Sequence, residues 1–408
     1  MKILYITQYF YPEVGAPPNR ALANIRYFAK KGHDVTVLTE MPNHPKGIIF
    51  DGYKYKLFMK EKMENFFVNR VWIFTSIKKN FVTRILFYIS FMFMGFIHTV
   101  FNWRKYDIIY VTSPPLFVGV IGLFLKKLFP KTKFIFEVRD LWPDVAIEMG
   151  ELQNKRYQNL SYRMEWDLYE RADKIISVTE GFKERIIAKG INGDKINVVR
   201  NGSDLEFNKI NVSEQLRNKF EIENNFIVVY AGILGIAQNI KTLLESGKQL
   251  SSYSVKILLV GTGPEERILK EYAKDNKICN VIFVGEIAKA DVNEYLSLAD
   301  CGIIPLRNIK IFESTIPSKL FDYMAASLPI LLGVKGETAD ILKQSEAGIT
   351  YEPDNSEDLA MKILWLKNNS QQLKQMSLNG RKFVEKYYNR EKQAEKLESE
   401  LLKLMEEL

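Results

Sequence analysis

Short apolar runs, each ending in a loop of glycine, proline or polar residues, recur along the whole chain and constrain its fold more than any other feature. In the first half the runs lie at 3–7, 35–39, 107–112, 133–138, 175–179 and 196–199. In the second half they lie at 226–230, 255–260, 281–284, 301–304, 329–332 and 348–353. Runs of this length that alternate with helical patterns are typical of buried strands in βαβ units. The sequence therefore predicts an α/β protein with doubly wound parallel sheets.

The length of 408 residues favours two domains, because one hydrophobic core seldom organises more than about 250–300 residues. The pair Asn201-Gly202 is a strong turn signal between the two series of runs. We therefore expect a first domain at 1–200 and a second at 201–385. The helical stretch at 386–408 is expected to pack back onto the first domain.

Charge and cysteine content narrow the class of protein. The formal net charge of +8 favours anionic partners such as nucleotides, phosphates or an acidic membrane surface, without separating them. Cys279 and Cys301 lie in apolar, strand-like contexts, which predicts buried, reduced thiols and a cytosolic protein. No signal-peptide pattern follows the first run, so we do not expect secretion.

The sequence carries no pattern for a metal site. His33, His44 and His98 show no ligand spacing with one another or with the cysteines. No Asp-x-Asp pair occurs that could hold a divalent ion against a diphosphate. We therefore predict that the protein requires no metal.

Residues 65–106 form a basic, aromatic segment that we expect to associate with a membrane. No acidic residue occurs between Glu64 and Asp107, whereas basic residues punctuate a run dense in Phe, Trp and Tyr. The centre of the segment, 85–97, is apolar on every side and allows three interpretations. It could span a bilayer, which needs about 20 apolar residues. It could also be a buried core helix, or it could lie at the interface between lipid and water. Membrane contact is favoured over spanning.

The stretch 304–326 is the leading candidate for a binding site. An apolar run ends at Pro305, a polar loop follows, and Pro317 marks the start of a helix. A helix N-terminus carries unpaired N–H groups and partial positive charge, so it binds anions such as phosphate. Lys319 and Asp322 share one helix face and could bind phosphate oxygens and sugar hydroxyls, respectively. The alternative is an exposed ion pair on a surface helix.

Three successive runs of the second half end in glycine loops, which let the backbone approach a diphosphate closely. The residues of these loops are Gly232, Gly235, Gly261, Gly263, Gly285 and Glu286. Because ligands of parallel sheets bind beyond the carboxyl ends of the strands, these loops and the stretch 304–326 are expected to share one site. No GxxxxGK[ST] loop occurs and no GxGxxG follows the first strand, which argues against a P-loop NTPase and a simple dehydrogenase.

Polar loops of the first half are the candidate acceptor side. Gly15 follows the first strand and permits close backbone approach, and Arg20 could reach an anion. The alternative is a plain surface loop that caps a helix. The loop 41–47 follows the second strand and carries mixed polar groups. Asp140 follows the strand at 133–138, so its carboxylate is expected to point at the same crevice.

Together these loops resemble the family 4 glycosyltransferases of GT-B fold over nearly the whole chain. The resemblance is closest to the bacterial N-acetyl-L-fucosamine transferases of surface-polysaccharide assembly. It implies two Rossmann-like domains that face each other across a cleft. It rests on PEVG at 12–15 with Arg20, PNHPKG at 42–47, SPP at 113–115, RDLWP at 139–143, GTGP at 261–264, IPSK at 316–319 and MAA at 324–326.

The resemblance implies a retaining hexosyltransferase that moves a sugar, such as N-acetyl-L-fucosamine, from a UDP-sugar to a polyprenyl-diphosphate-linked saccharide in capsule or O-antigen biosynthesis. It implies front-face displacement, no cofactor, no metal and no nucleic-acid partner. The enzyme is expected to be cytoplasmic and peripherally associated with the inner face of the cell membrane. Two alternatives stay open, a non-catalytic GT-B membrane adaptor and a nucleotide-sugar 2-epimerase.

The resemblance also implies roles for individual residues. Lys319 would bind the diphosphate, Gly15 would lie beside the donor sugar, and Asp140 would be the acceptor-side carboxylate. Asp322 would bind the ribose and Glu286 would lie near the base. The full set of donor-binding residues is Gly232, Gly235, Gly261, Gly263, Glu286, Ser314, Lys319, Leu320, Asp322 and Arg200.

The sequence departs from the family pattern in three features. The family pairs two glutamates eight positions apart, and those positions here are Ser314 and Asp322, with Glu313 one residue away. The histidine that contacts the donor in the family corresponds to Thr112 or Ser113.

The third departure concerns charge. The Arg and Lys that usually follow the first glycine of the second domain are missing, since 233–238 carries no charge. Lys319, together with Arg200 or Arg20, is therefore expected to neutralise the diphosphate.

Overall fold

The computed structural model describes residues 1–78, 81–206, 214–220, 222–288 and 291–406. The chain divides into two compact units, and the division falls between Arg200 and Asn201. Unit 1 contains Met1–Arg200 together with the chain from Arg390 onward, and unit 2 contains Asn201–Asn389. Each unit is built on one sheet with helices between its strands, so the predicted α/β fold with two parallel-sheet domains is confirmed.

Unit 1 is organised around a sheet whose strands are nearly all parallel. In chain order its strands are β1 (Lys2–Ile6), β2 (Asp34–Glu40), β3 (Phe58–Met63), β4 (Phe66–Val71), β5 (Ile108–Ser113), β6 (Lys133–Val138), β7 (Lys174–Ser177) and β8 (Ile196–Val198). They lie side by side in the order β3-β4-β2-β1-β5-β6-β7-β8. The helices up to residue 200 are α1 (Ala16–Lys30), α2 (Phe81–Phe101), α3 (Phe117–Leu128), α4 (Asp144–Glu148), α5 (Lys155–Arg171) and α6 (Glu180–Ala188). The strand order reverses between β1 and β5, and such a switch point opens a crevice at the carboxyl ends of those two strands.

The strands β3 and β4 form an antiparallel hairpin at the edge of this sheet, and we did not predict them. No glycine loop and no helix separate them, so they lack the repeat by which the other strands were recognised. The outer strand β3 carries the charged residues Lys60, Glu61 and Lys62 between two methionines and stays partly exposed along its length. Charge on an edge strand of this kind discourages pairing with other chains.

The helix α2 is only partly buried. Its inner face carries Phe91, Gly95 and Thr99 at intervals of four residues, and this face packs on α3. In an 18-residue stretch of the helix only 17% of the residues are buried. The interpretation of 85–97 as a buried core helix is therefore wrong. By length and composition Val82–Phe101 could cross a membrane, and the membrane interpretations stay predictions.

Unit 2 is organised around a fully parallel sheet. Its strands are β9 (Phe226–Ala231), β10 (Val255–Val260), β11 (Val281–Gly285), β12 (Cys301–Pro305), β13 (Ile330–Gly333) and β14 (Gly348–Thr350). Its helices are α7 (Glu214–Lys219), α8 (Ile240–Gln249), α9 (Glu266–Asp275), α10 (Val292–Leu298), α11 (Lys319–Ala325), α12 (Glu337–Ser345), α13 (Ser356–Asn368) and α14 (Ser370–Tyr387). The strand order β11-β10-β9-β12-β13-β14 reverses between β9 and β12. A second crevice is therefore expected at the carboxyl ends of β9 and β12.

The last helix, α15 (Arg390–Glu406), belongs to unit 1 and packs against α1. Its apolar face places Ala394, Leu397 and Leu401 in the same core cluster as Ile25 and Phe28 of α1. A hydrogen bond of 2.7 Å between Nε2 of His33 and Oε1 of Glu398 holds the helix near the start of β2.

The two cysteines differ in their surroundings. Cys301 is fully buried in β12, as predicted, whereas Cys279 is exposed, so that part of the prediction is wrong. Cys279 lies in the turn before β11 and not within the strand, so its side chain does not join the core. Both thiols are free.

Candidate functional site

The crevice of unit 2 brings Lys319 next to the loop that follows β9. The Nζ atom of Lys319 lies 5.2 Å from the centre of the Tyr230 ring. A Cβ atom added to Gly232 would lie 2.6 Å from that nitrogen, so a larger residue here would displace the end of the lysine side chain. Burial lowers the pKa of the Lys319 ammonium group, and the negative charge of Asp322 offsets part of this effect. A partly desolvated cation at the switch point is suited to bind an anionic ligand.

The helix N-terminus at Lys319 contributes less than we predicted. The helix α11 is only seven residues long. Its second and third amide groups are already used, since the N–H of Leu320 donates to the Pro317 carbonyl over 3.0 Å and that of Phe321 donates to the Ser318 carbonyl over 3.1 Å. If an anion binds here, the lysine charge is therefore expected to supply most of the attraction.

Asp322 is anchored within unit 2. Its Oδ1 atom accepts a hydrogen bond of 2.6 Å from the Oγ atom of Ser203, a fully buried residue just past the predicted Asn201-Gly202 turn. Both Lys319 and Asp322 are half-buried, so the alternative of an exposed surface ion pair is wrong. The predicted contact of Asp322 with a ribose stays a prediction.

The glycines of the neighbouring loops allow close backbone packing. A Cβ atom on Gly261 would overlap the Gly232 carbonyl, and one on Gly263 would overlap the Leu234 carbonyl. The loops are also joined by backbone hydrogen bonds, from the Gly232 N–H to Val260 (2.8 Å) and from the Gly261 N–H to Gly285 (2.8 Å). These contacts bring the ends of β9, β10 and β11 together. The close packing of the loops is by itself a sufficient reason for glycine at these positions, whether or not a ligand binds.

The other predicted donor-binding residues differ in their solvent exposure. Glu286 is exposed just after β11, and Ser314 is half-buried at the end of the 3-10 helix Lys310–Ser314. Gly235 precedes a short 3-10 turn. Leu320 is fully buried in the core and its N–H is bonded to Pro317, so the structure contradicts its assignment as a ligand contact. The side chain at a position facing the core cannot reach a crevice.

Arg20 in unit 1 is a structural residue, contrary to our expectation that it binds an anion. It is 6% exposed and forms an ion pair of 2.9 Å with the fully buried Glu137. Its other nitrogens donate to the carbonyl oxygens of Val199 (2.9 Å) and Arg200 (2.8 Å). The Arg200 guanidinium lies 3.6 Å from Glu180 of the same unit. The counter-charge for a diphosphate is therefore expected from Lys319 and not from Arg20.

Gly15 and Asp140 lie at loops of the unit 1 crevice. Gly15 directly precedes α1, and a Cβ atom there would meet nothing closer than 3.8 Å, so its surroundings are open. Asp140 lies just past β6 and its side chain reaches solvent. The surrounding protein nevertheless disfavours its charged form and raises the pKa of the carboxyl to about 6, an effect that the charge of Arg139 offsets only in part.

Sequence reasoning missed two tyrosines that frame Lys319. Tyr230 donates a hydrogen bond of 2.6 Å to the Ile233 carbonyl, and Tyr323 accepts one of 2.9 Å from the Ala231 N–H. Both hold the loop after β9 in place beside the lysine. The sequence signal that could have identified Tyr230 was its hydroxyl group, near the end of a strand that is otherwise apolar.

The described part of the chain contains no group of three or more His, Cys, Asp or Glu residues arranged to hold a metal ion. Independence from metal stays a prediction.

A first test concerns the fit between Gly232 and Lys319. We expect Gly232→Ala to raise the KM for the nucleotide-sugar donor at least tenfold, because the new methyl group displaces the lysine side chain. The control is Gly190→Ala, which also introduces a side chain at positive φ (+90°) but meets no atom within 4 Å. Steady-state kinetics of both purified variants measure this change in KM. If both variants changed KM equally, the space that Gly232 leaves beside Lys319 would not be important for donor binding.

Two family models match the chain, the first mainly within unit 1 and the second within unit 2. Residues 19–207 match the family described as Glycosyltransferase Family 4. Residues 212–383 match the family described as Glycosyl transferases group 1.

Individual proteins resemble the chain at low sequence identity. A putative colanic acid biosynthesis glycosyl transferase of Escherichia coli strain K12, WcaI, is 21% identical over 336 residues, which cover 80% of this chain and 81% of that protein. The solved structure of a sucrose-phosphate synthase from Thermosynechococcus elongatus covers 100% of both chains with a TM-score of 0.75 at 17% identity. The structure of Anabaena HepE in complex with UDP and glucose has a TM-score of 0.71 at 16% identity and covers 98% of this chain and 99% of that one. Structural similarity at this identity shows a shared fold.

Proposed function

We propose that the chain is a glycosyltransferase, because the models for Glycosyltransferase Family 4 and Glycosyl transferases group 1 match residues 19–207 and 212–383. We further propose that it transfers a sugar from a UDP-sugar to a lipid-linked saccharide in the biosynthesis of a bacterial surface polysaccharide. The donor class is supported by HepE, whose structure holds UDP and glucose. The pathway is supported by the colanic acid transferase to which the chain is similar. N-acetyl-L-fucosamine remains the proposed sugar.

The observation that carries this proposal is the Lys319 ammonium group beside Gly232, at the switch point of the unit 2 sheet. A leaving nucleoside diphosphate gains negative charge as the bond to the sugar breaks. A fixed cation in a partly desolvated site stabilises that charge more in the transition state than in the ground state. Asp322, held by Ser203, lies on the same short helix and is proposed to bind the ribose hydroxyls.

The proposed stereochemical course is retention by front-face displacement. A double displacement would need a nucleophilic carboxylate about 5 Å from a second carboxylate. We assign no such pair, and in front-face displacement the departing diphosphate helps to accept the proton of the acceptor hydroxyl. Positioning and charge stabilisation then supply the catalysis.

The direct test is a panel of nucleotide sugars, UDP-N-acetyl-L-fucosamine included, incubated with a lipid-linked N-acetylhexosamine acceptor. We expect release of UDP together with a lengthened saccharide, and only when the acceptor is present. Donor conversion without acceptor would instead indicate an epimerase. Donor binding without any release of UDP would indicate a non-catalytic adaptor.

The pH dependence of the reaction tests Asp140. With a pKa raised to about 6, its carboxyl group changes from neutral to charged as the pH rises through that value. If the carboxylate orients the acceptor, kcat/KM should rise about tenfold between pH 5 and pH 7, and Asp140→Asn should remove this rise. The control is Asp167→Asn, on α5. A rise that persists in Asp140→Asn would assign the titration to another group.

We propose that this reaction takes place at the inner face of the cell membrane. The outer face of α2 exposes Val82, Leu86, Ile89 and Phe93, which follow helical spacing and form one apolar stripe. The segment around it carries basic but no acidic side chains from 65 to 106. An apolar face with a basic rim suits the surface of an anionic bilayer.

A further inference from the structure

A pocket of about 190 Å³ lies in unit 1 at the start of α2. Its walls come from the loop after β2, from the loop at Ser76 and Lys78, and from the first turns of α2. Its volume is below the roughly 300–1,000 Å³ of pockets for drug-sized ligands. The pocket therefore suits one small polar group and not a whole nucleotide sugar.

One wall is held in place from beneath by buried acidic residues. The Oε1 atom of Glu13 accepts hydrogen bonds from the backbone N–H groups of Asn43 (2.7 Å) and His44 (2.8 Å). The side-chain amide of Asn43 donates to Oε1 of the buried Glu40 over 2.6 Å. Gly47 has a φ of +70°, and a Cβ atom there would overlap the Ser76 carbonyl, so the two loops touch directly.

The other wall is tied to α2. The Thr83 hydroxyl donates to the Lys78 carbonyl over 2.6 Å, and the Phe74 N–H donates to Ser90 over 2.9 Å. With both walls fixed, little ordering is needed when a ligand enters. The pocket is preformed.

The chemistry of the lining selects an anion. Lys78, Arg84 and the imidazole of His44 face the pocket together with hydroxyl groups, and in the described part of the lining there is no carboxylate. Cations and hydroxyls in such an arrangement bind phosphate oxygens through charge-assisted hydrogen bonds. The remaining walls are aromatic, with the rings of Tyr9 and His44 5.5 Å apart.

The first turns of α2 carry both the start of the apolar stripe and part of the pocket lining, on different faces of the helix. Val82 is 62% exposed and Leu86 is 46% exposed on the stripe, whereas Thr83 and Arg84 line the pocket. From Val82 to Phe93 the stripe runs for about 16 Å, given the 1.5 Å rise per residue. A basic pocket at the first turns of a helix whose outer face is apolar suits a ligand whose phosphorylated head lies at the membrane surface and whose hydrocarbon chain lies in the bilayer.

We propose that this pocket binds the diphosphate head group of a membrane-borne prenyl-type lipid that carries the acceptor saccharide, while the stripe of α2 contacts the bilayer. The inference rests on the proposed function and assigns a place to its acceptor. Arg84 is held 3.3 Å from Glu151 in an exposed ion pair, which orients the guanidinium near the pocket. Exposed pairs of this kind are weak, so a diphosphate can compete for the arginine.

The test measures binding of geranylgeranyl diphosphate, geranylgeraniol and inorganic pyrophosphate to the full chain in detergent micelles by calorimetry. We expect the lipid diphosphate to bind at least tenfold more tightly than either partial ligand. The double variant Lys78→Ala/Arg84→Ala should lose at least tenfold in affinity for it. Its matched control is Lys155→Ala/Arg163→Ala, which removes the same charge from exposed positions of α5 and should stay within twofold of the original chain.

Glu151→Gln adds a readout that loss of structure cannot mimic. Removing the competing carboxylate should tighten binding of the lipid diphosphate several-fold. Equal losses in the two double variants, or equal affinities for pyrophosphate and the lipid diphosphate, would overturn the proposal. Affinity for UDP should be unchanged in Lys78→Ala/Arg84→Ala, which also confirms folding. An absence of sugar transfer from every donor would refute the proposed function and leave this binding result as it stands.

Discussion

Replacing Lys319 with alanine should lower kcat/KM for the nucleotide-sugar donor by about 100- to 1,000-fold, the loss typical when one preorganised group that stabilises developing charge is removed. The ammonium group lies beside Gly232 at the switch point of the sheet, where a leaving diphosphate would gain charge. The fold should survive, because burial already lowers the pKa of this lysine and its charged form gains little from folding.

The matched control is Lys343→Ala, which removes an exposed lysine from α12 of the same unit. We expect this variant to keep its activity within about twofold. Thermal melting of both proteins separates catalysis from stability. If Lys319→Ala transfers sugar at an undiminished rate while folding normally, the diphosphate is neutralised elsewhere and the assignment of this site is wrong.

Replacing Arg20 with alanine should destabilise unit 1 by about 3 kcal/mol, at the lower end of the range for breaking a buried ion pair. The change leaves the fully buried Glu137 without its closest cation and removes the donors to Val199 and Arg200. Arg139 stays 4.0 Å from Glu137 and limits the loss. Burial alone would raise the pKa of Glu137, but the charges of Arg20 and Arg139 hold it below its usual value. The stabilisation is therefore present above the usual pKa range of a glutamate and is lost as the pH falls through the folded value.

Urea unfolding measures this effect, with hydrogen exchange of β1 and β6 amides to assign the transition to unit 1. The control is Lys30→Ala, which breaks an ion pair with Glu391 whose side chains are 73% and 61% exposed, and it should cost less than about 1 kcal/mol. Arg20→Met combined with Glu137→Leu should recover part of the loss, because Glu137 is then no longer left as a buried charge without Arg20. Similar costs for Arg20→Ala and Lys30→Ala would contradict the structural role of Arg20.

The repeat of apolar runs was sufficient to predict the architecture. Strands such as β1, β5 and β9 are buried on both faces over most of their length, so their sequences are mostly apolar and can be recognised locally. The hairpin β3–β4 escaped recognition because an edge strand needs no continuous apolar run.

The local sequence also indicated where a site would form. Polar loops after parallel strands meet at one edge of the sheet, and Lys319 and Gly232 do meet there. It could not tell which polar residues would face a crevice. Arg20 and Lys319 both follow glycine- or proline-containing loops, yet one is neutralised inside the core and the other lines the crevice.

The amino-acid sequence by itself determined the α/β class, the division near residue 200 and the loops that carry the candidate site, because these depend on periodicity and turn chemistry along short stretches. Only the tertiary structure decided that Arg20 pairs with Glu137, that Ser203 anchors Asp322 and that α2 leaves an apolar stripe exposed beside a basic pocket. The partners in these contacts are separated by up to 119 positions in the chain. Whether a charge is paired or available depends on such distant neighbours, and no local pattern records them.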